Sequence, residues 1–114
     1  MKIQKVQDIL QAELLCGVDL LETEVHSACG SDMMSDVLAF VKDQALLLTG
    51  LMNPQVVRTA EMMDIRCIVF VRGKRPDFAM INMAQERDIV MMTTPLRMYS
   101  ACGRLYTAGL QGKE

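Results

Sequence analysis

The sequence predicts a three-layer α/β/α fold, a single domain with a mostly parallel sheet of about five strands. Three continuous apolar runs carry this prediction: ALLLT (45–49), CIVFV (67–71) and IVMMT (89–93). Continuous rather than alternating apolar residues are typical of strands that are covered on both faces. A segment with helical periodicity follows each run, and this alternation favours parallel strands joined by right-handed helical crossovers.

The first part of the chain adds two helices and one strand. Helical spacing of apolar residues predicts a helix over residues 3–12, and EVHSAC (24–29) predicts a strand. The short LLCG segment between them is assigned no element. Gly30, Ser31 and Asp32 predict a turn and an N-cap for a helix over residues 32–41. The predicted buried stripe of that helix is Met33, Val37, Leu38 and Val41.

A helix is predicted after each of the three apolar runs, over residues 54–64, 77–87 and 95–107. We expect Asn53 to cap the first of these helices, with Pro54 at its first position, where no amide hydrogen is needed. Thr94 and Pro95 predict the same arrangement after the last strand. The predicted buried residues of the three helices are Val56, Val57, Ala60 and Met63; Phe78, Ile81 and Ala84; and Leu96, Tyr99 and Tyr106.

Composition narrows the function classes. The chain has 114 residues, which is the usual length of one domain. Its net charge is −2, so the protein as a whole does not attract the negatively charged backbone of nucleic acid. Since no apolar run approaches the roughly 20 residues that span a bilayer, we expect no membrane partner and a cytoplasmic location. The four cysteines form no C-x-x-C pair, so reduced thiols and no metal site are expected. The 11 methionines fit core filling somewhat better than a self-association surface.

The most plausible binding site lies at the carboxyl ends of the predicted strands, where ligands bind in open parallel sheets. Four turns converge there, and the basic segment VRGKRPD is the most suggestive because its cations suit a phosphate or carboxylate. Solvated surface cations and helix caps are the alternative interpretation of the same residues. The candidate ligand-binding residues are Ser31, Asp32, Thr49, Gly50, Asn53, Arg72, Gly73, Lys74, Arg75, Thr93 and Thr94.

No catalytic set is legible in the sequence. His26 is the only histidine and has no evident orienting partner. Cys29 precedes a predicted helix that could favour its thiolate, but a nucleophile also needs a base. Asp32, Asp36 and Asp43 lie in one region without the spacing of a metal cluster. Neither a P-loop nor Gly-x-Gly-x-x-Gly is present, so we expect no enzyme and no cofactor.

Several segments together resemble the DRTGG domain in its small stand-alone form: SDMMSDVLAF, LLLTGLMNPQVVRTAEMMDI, IVFVRGKRPD, ERDIVMMTT and SACGRLYTAGL. The resemblance covers roughly residues 3–110 of a single domain spanning 1–114. It implies a fold similar to the N-terminal domain of bacterial HPr kinase/phosphorylase and to the middle domain of some phosphotransacetylases. The sequence contains no literal Asp-Arg-Thr-Gly-Gly. Lys74 stands where relatives commonly have Asp, and this added positive charge favours the binding of anions.

Two hypotheses follow from the residues and the resemblance. The first is a non-catalytic regulatory module, a homodimer, that binds a small anionic ligand or a nucleotide and signals to a partner protein. The alternative is a pure protein-interaction subunit, without a ligand, of a redox (hydrogenase-like) or histidine-kinase system. The resemblance implies that related domains occur beside CBS nucleotide-sensing modules, which supports the first hypothesis. It also implies that small stand-alone members are found near hydrogenase or histidine-kinase-like components, which supports the second.

Overall fold

The computed structural model of the protein describes residues 1–41 and 44–113. Within them the chain forms a five-stranded sheet in the order β1-β5-β4-β3-β2. Strands β2 to β5 are parallel, and β1 pairs with β5 in the antiparallel direction. The prediction of a mostly parallel sheet of about five strands is therefore confirmed. The strands are Glu13–Cys16 (β1), Ser27–Gly30 (β2), Ala45–Thr49 (β3), Cys67–Phe70 (β4) and Val90–Thr93 (β5).

Helices cover both faces of this sheet, which confirms the predicted three layers. Helices α2, α3 and α4 pack with one set of strand side chains, and α1 and α5 pack with the other set. Every residue of β3, β4 and β5 is buried, because each of these strands has a helical layer above and below it. The helices are Ile3–Leu10 (α1), Met34–Phe40 (α2), Gln55–Met62 (α3), Phe78–Glu86 (α4) and Met98–Thr107 (α5), with a short 3-10 helix at Val18–Leu20.

Strand β1 was not predicted, and β2 begins three residues later than expected. β1 lies at the edge of the sheet, and its residues change from exposed through partly buried to buried along the strand. It therefore lacks the continuous apolar run that marks β3 to β5. The predicted strand over 24–29 is replaced by Ser27–Gly30. The residues before Ser27 instead bond to the start of the chain and of α1: the Val25 amide donates to the Met1 carbonyl at 2.8 Å, and the Ile3 amide donates to the Thr23 carbonyl at 2.9 Å.

The four helices predicted after α1 all begin one to three residues later than expected. Helix α2 begins at Met34, and Met33 is its extended N-cap residue, so Met33 and Leu38 are exposed while Met34 and Val37 are buried. Helix α5 begins at Met98, so Pro95 is not at its first position. Helix α3 begins at Gln55 and Pro54 is its N-cap residue, so the predicted cap at Asn53 with Pro54 at the first position is one residue too early, although the Asn53 side chain does accept a hydrogen bond from the Gln55 amide at 2.8 Å.

The outward faces of α4 and α5 carry large apolar side chains that the sequence pattern had assigned to the core. Phe78, Tyr99 and Tyr106 are 77%, 91% and 60% exposed. The buried positions are Met80 and Ala84 in α4 and Ala101 and Leu105 in α5. Of the other predicted core residues, Ala84 is buried, and Ile81 and Leu96 are half-buried against the core, so periodicity was wrong for Phe78, Tyr99 and Tyr106 only. For α3, the predicted core residues Val56, Val57 and Ala60 are buried, whereas Met63 is only half-buried and follows the end of the helix.

Candidate anion-binding rim

The turns after the parallel strands meet along one edge of the sheet. Backbone hydrogen bonds join them directly: the Ser31 amide donates to the Leu48 carbonyl at 3.0 Å, and the Arg72 amide donates to the Leu96 carbonyl at 2.7 Å. The Gly73 amide likewise donates to the Thr94 carbonyl at 2.8 Å. We call residues 30–32, 49–53, 71–75 and 93–97 the rim. The structure thus places all the candidate ligand-binding residues together, and their ligand-binding role stays a prediction.

Asp32 ties the ends of β2 and β3 together. Its Oδ1 accepts a hydrogen bond from the Gly50 amide at 2.7 Å and another from the Thr49 hydroxyl at 3.2 Å. The same hydroxyl accepts from the Leu51 amide at 3.2 Å. Asp32 therefore occupies the backbone donor that an external anion would otherwise meet at this turn.

Gly50 allows the closest approach in the rim. A Cβ at this position would lie 3.1 Å from Cζ of Arg72 and 3.5 Å from Oδ1 of Asp32. The guanidinium therefore lies directly over the glycine backbone. Arg72 itself has a positive φ of 61°, a conformation that is uncommon for residues other than glycine. The hydrogen bond from the Arg72 backbone amide to the Leu96 carbonyl holds this backbone conformation in place, and the Arg72 side chain extends toward the end of β3.

The rim carries three exposed cations, Arg72, Lys74 and Arg97. Arg72 and Lys74 follow β4, and Arg97 is the N-cap residue of α5, one residue beyond the carbonyl that holds Arg72. Among the described residues, no ion pair joins any of these three side chains to a carboxylate. They are free to contact an anion from solvent.

Arg75, the fourth rim cation, is already paired. Its two terminal nitrogens donate to the two carboxylate oxygens of Glu13, at 2.8 and 2.9 Å. This bidentate hydrogen bonding, and secondarily the charge of the guanidinium, lowers the pKa of Glu13 and raises the pKa of Arg75. The pair joins β1 to the turn after β4, so Arg75 is better suited to fastening the rim than to contacting a ligand.

The other predicted site residues act mainly as turn-forming residues. The hydroxyl of Thr93 donates to the Lys74 carbonyl at 2.6 Å, and that of Thr94 donates to the Leu10 carbonyl at 2.8 Å. Both threonines are buried. Ser31 accepts from the Met33 amide at 3.0 Å, and Gly73 is exposed with a φ of 67°. These bonds set the shape of the rim and leave the three exposed cations as its free polar groups.

Sequence reasoning missed Arg97 and Glu13. Arg97 falls inside the helix predicted over residues 95–107 and was not among the candidate ligand-binding residues. The feature that could have identified it is its position three residues after Thr94. Glu13 belongs to the unpredicted strand β1, where it pairs in register with Thr93 at the carboxyl edge. Only the antiparallel direction of β1 brings its first residue to this edge.

The catalytic candidates lie apart or are chemically unsuited. His26 is exposed and precedes β2, at the opposite end of that strand from the rim. Burial, then the neighbouring Cys102 and Asp36, raises the pKa of the Cys29 thiol, so the expected stabilisation of its thiolate is wrong. Asp43 lies outside the described residues. Within residues 1–41 and 44–113 all four cysteines are free, and no group of His, Cys, Asp and Glu could hold a metal ion.

The model of the DRTGG domain family matches residues 5–108. The chain belongs to the DRTGG domain family. A similar fold occurs in the crystal structure of the CBS and DRTGG domains of the regulatory region of Clostridium perfringens pyrophosphatase, complexed with its activator diadenosine tetraphosphate. The two chains are 16% identical with a TM-score of 0.71, and the match covers 96% of this DRTGG domain and 47% of the pyrophosphatase chain.

The family model confirms the family expected from the sequence, and the crystal structure confirms the expected fold. At 16% identity the likeness shows the fold alone. None of the curated proteins matches the chain. Across the described part of the DRTGG domain, each helix is too short or too polar to cross a bilayer.

Proposed function

We propose that this DRTGG domain is a non-catalytic regulatory module whose rim binds a small anionic ligand or a nucleotide, and that it reports occupancy to a partner protein. The observation that carries the proposal is the set of three exposed cations, Arg72, Lys74 and Arg97, which are without carboxylate partners among the described residues. Guanidinium and ammonium groups on neighbouring turns are the usual partners of phosphate and carboxylate groups.

Asp32 limits what the rim can bind. Its carboxylate already accepts from the Gly50 amide, so the ligand is held by side chains rather than by the backbone of this turn. One negative charge beside three cations leaves a local excess of positive charge. A ligand with several negative charges, such as a nucleotide polyphosphate, gains most from that excess. Because the cations are exposed, binding should weaken markedly as salt increases.

The comparison gives independent support for a regulatory role. The regulatory region of the pyrophosphatase was crystallised with a nucleotide activator, diadenosine tetraphosphate. The present chain spans 47% of that crystallised regulatory chain, so the ligand and its position come to this domain only as a proposal. A polyphosphate nucleotide nevertheless has the charge that the rim favours.

Thermal-shift measurements with nucleotides and phosphorylated metabolites test this function. A ligand present at 100 times its dissociation constant stabilises the native state by about 2.7 kcal/mol, which is readily detected as a shift in Tm. The double variant Arg72→Ala, Lys74→Ala should lose the shift. Arg66→Ala is the matched control, because Arg66 is also a surface cation but precedes β4 at the opposite edge.

Two results would contradict the proposal. The first is no shift with any anion in the panel at low salt. The second is a shift that the rim variant retains in full, because the ligand would then bind elsewhere.

Exposed apolar side chains favour the second candidate, a protein-interaction subunit. Met33, Leu38 and Phe40 are 60%, 41% and 70% exposed along α2, and Met62 on the neighbouring α3 is 73% exposed. An apolar surface of this kind suits self-association or a protein partner. Sedimentation velocity of the wild type and of Phe40→Ser tests the homodimer. A wild-type dimer that Phe40→Ser dissociates supports this surface, and a monomer at all concentrations refutes the homodimer.

A further inference from the structure

An open groove lies between helices α1 and α5. It has a volume of about 520 Å³, and α1 contributes one of its lining residues while α5 contributes the others: Ile9, Tyr99, Ser100, Gly103, Arg104 and Thr107. All five of the α5 residues in this set are exposed, so a ligand can reach them directly from solvent. None of the six was among the candidate ligand-binding residues of the sequence.

Both sides of this groove begin at the rim. On α5, Tyr99 lies two residues after Arg97, the N-cap residue that belongs to the rim. Because a helix rises about 1.5 Å per residue, Tyr99 is only about 3 Å further along the helix axis. On α1, Ile9 precedes Leu10, whose carbonyl accepts a hydrogen bond from the rim residue Thr94 at 2.8 Å. The groove therefore adjoins the rim.

The floor and one side of the groove suit a flat aromatic ring. Gly103 has no side chain, and among the described residues a Cβ at this position would meet no side chain and no other element within 4 Å. The floor is thus open down to the helix backbone. Tyr99 lies one turn earlier on the same helix face and is 91% exposed. Its ring carries apolar area that a stacked ligand would remove from water.

The polar groups of the groove match a heterocycle better than a hydrocarbon. The hydroxyls of Ser100 and Thr107 can donate to or accept from ring nitrogen and oxygen atoms. No ion pair joins Arg104 to a carboxylate among the described residues, and a guanidinium can pack on the face of a π system. None of the described lining residues is acidic, so the groove does not repel a ligand whose phosphates lie at the rim.

We propose that this groove is the base-binding subsite of the rim. The ligand is a nucleotide whose phosphates contact the three exposed rim cations and whose base stacks on Tyr99 over Gly103. This inference rests on the proposed function and narrows it from small anions in general to nucleotides. Since every base has a π face, stacking on Tyr99 holds a base without selecting which one.

Isothermal titration calorimetry of the full chain at low salt, with ATP and with inorganic tripolyphosphate, tests the subsite. Both probes carry a chain of three phosphates, but only ATP has a base. Tyr99→Ala should weaken ATP binding roughly 5- to 30-fold, the lower part of the range for a base stacked on an aromatic side chain. Binding of tripolyphosphate should be unchanged in the same variant, because its contacts are all at the rim.

Three further variants complete the experiment. Tyr99→Phe keeps the ring and should keep the affinity for ATP. Gly103→Leu fills the open floor without a steric clash, so it should fold normally and weaken ATP selectively. Tyr106→Ala is the matched control, because Tyr106 is also an exposed tyrosine of α5 but borders a cavity beside β2 rather than this groove.

The outcomes separate this subsite from the rim. Unchanged ATP affinity in Tyr99→Ala and Gly103→Leu, with tripolyphosphate still bound, would overturn the base subsite and leave the rim intact. Equal weakening of both probes in Tyr99→Ala would also overturn it, because the ring would then not act through a base. If the wild type binds neither probe, the proposed function fails and the subsite fails with it.

Discussion

Truncation of Asp32 is the most informative single perturbation of the rim. Asp32→Ala removes the acceptor of the Gly50 amide and of the Thr49 hydroxyl, which lie 2.7 and 3.2 Å from the carboxylate oxygen. Gly50 and Thr49 are buried, whereas Asp32 is exposed, so water can reach the freed groups only in part. We therefore expect a loss of about 1–2 kcal/mol in the free energy of unfolding, the lower part of the range for an unpaired buried group.

Urea denaturation at neutral pH measures this loss as a lower midpoint with an unchanged m value. Asp32→Asn keeps an oxygen acceptor and should recover most of the stability. Asp19→Ala is the control, because Asp19 is exposed and its carboxylate accepts no hydrogen bond among the described residues. This variant should change the free energy of unfolding by less than about 0.5 kcal/mol. The reasoning is refuted if Asp32→Ala behaves like this control, or if Asp32→Asn is as damaging as Asp32→Ala.

The same asparagine variant also tests the charge balance of the rim. Asp32→Asn removes the negative charge beside Arg72 while it keeps the hydrogen-bonding shape. An exposed charge contributes about 0.2–1 kcal/mol to such an interaction, so anion affinity should rise roughly 1.5- to 5-fold. Weaker anion binding in Asp32→Asn would contradict the assignment of the exposed cations as the ligand-binding groups.

Three further substitutions test the supports of the fold. Gly17→Ala places a Cβ 2.9 Å from a backbone atom of β5 at a φ of 92°, and should cost about 2–4 kcal/mol in urea denaturation. Thr94→Val leaves the Leu10 carbonyl without its 2.8 Å donor, and should cost about 1–3 kcal/mol, which Thr94→Ser partly restores. Arg75→Ala should raise the pKa of Glu13, followed by NMR titration, because the guanidinium now lowers it.

Each of these outcomes has a clear contrary result. A neutral Gly17→Ala would mean that the turn between β1 and the 3-10 helix adjusts freely. Equal losses in Thr94→Val and Thr94→Ser would indicate that packing, not the hydroxyl, matters there. For Glu13 the folded pKa is lowered, so the stabilisation by Arg75 is present above the ordinary glutamate pKa and is lost as the pH falls through the folded value. Arg75→Ala with undiminished acid sensitivity in that window would contradict this assignment.

The parallel part of the fold was predictable because its strands are buried on both faces. Continuous apolar runs identified β3, β4 and β5 to within one residue at each end, and the Asn53-Pro54 pair located the start of α3 to within one residue. The marginal strand β1 was not predictable in this way, because a short strand with mixed burial has no distinctive period. The exposed faces of α4 and α5 also escaped prediction, since Phe78 and Tyr99 are apolar enough to belong to a core.

The location of the candidate site was predictable from the sequence, but two of its residues, Glu13 and Arg97, were not. Turns after parallel strands share one edge, so the convergence of residues 49–53 with 72–75 followed from topology alone. The topology did not show which of the cations lack a carboxylate partner, because the pairing of Arg75 with Glu13 joins positions 62 residues apart. Arg97 was missed for the same reason, since only the long-range bond from Arg72 to Leu96 places it beside the rim.

A crystal structure of the domain with the anion that gives the largest thermal shift tests the central claim most directly. We predict an anionic group within hydrogen-bonding distance of the side chains of Arg72 and Lys74, with Arg97 at its border and Asp32 still bonded to Gly50. An anion bound at the amino edge of the sheet, with these cations left in solvent, would contradict the proposed regulatory rim.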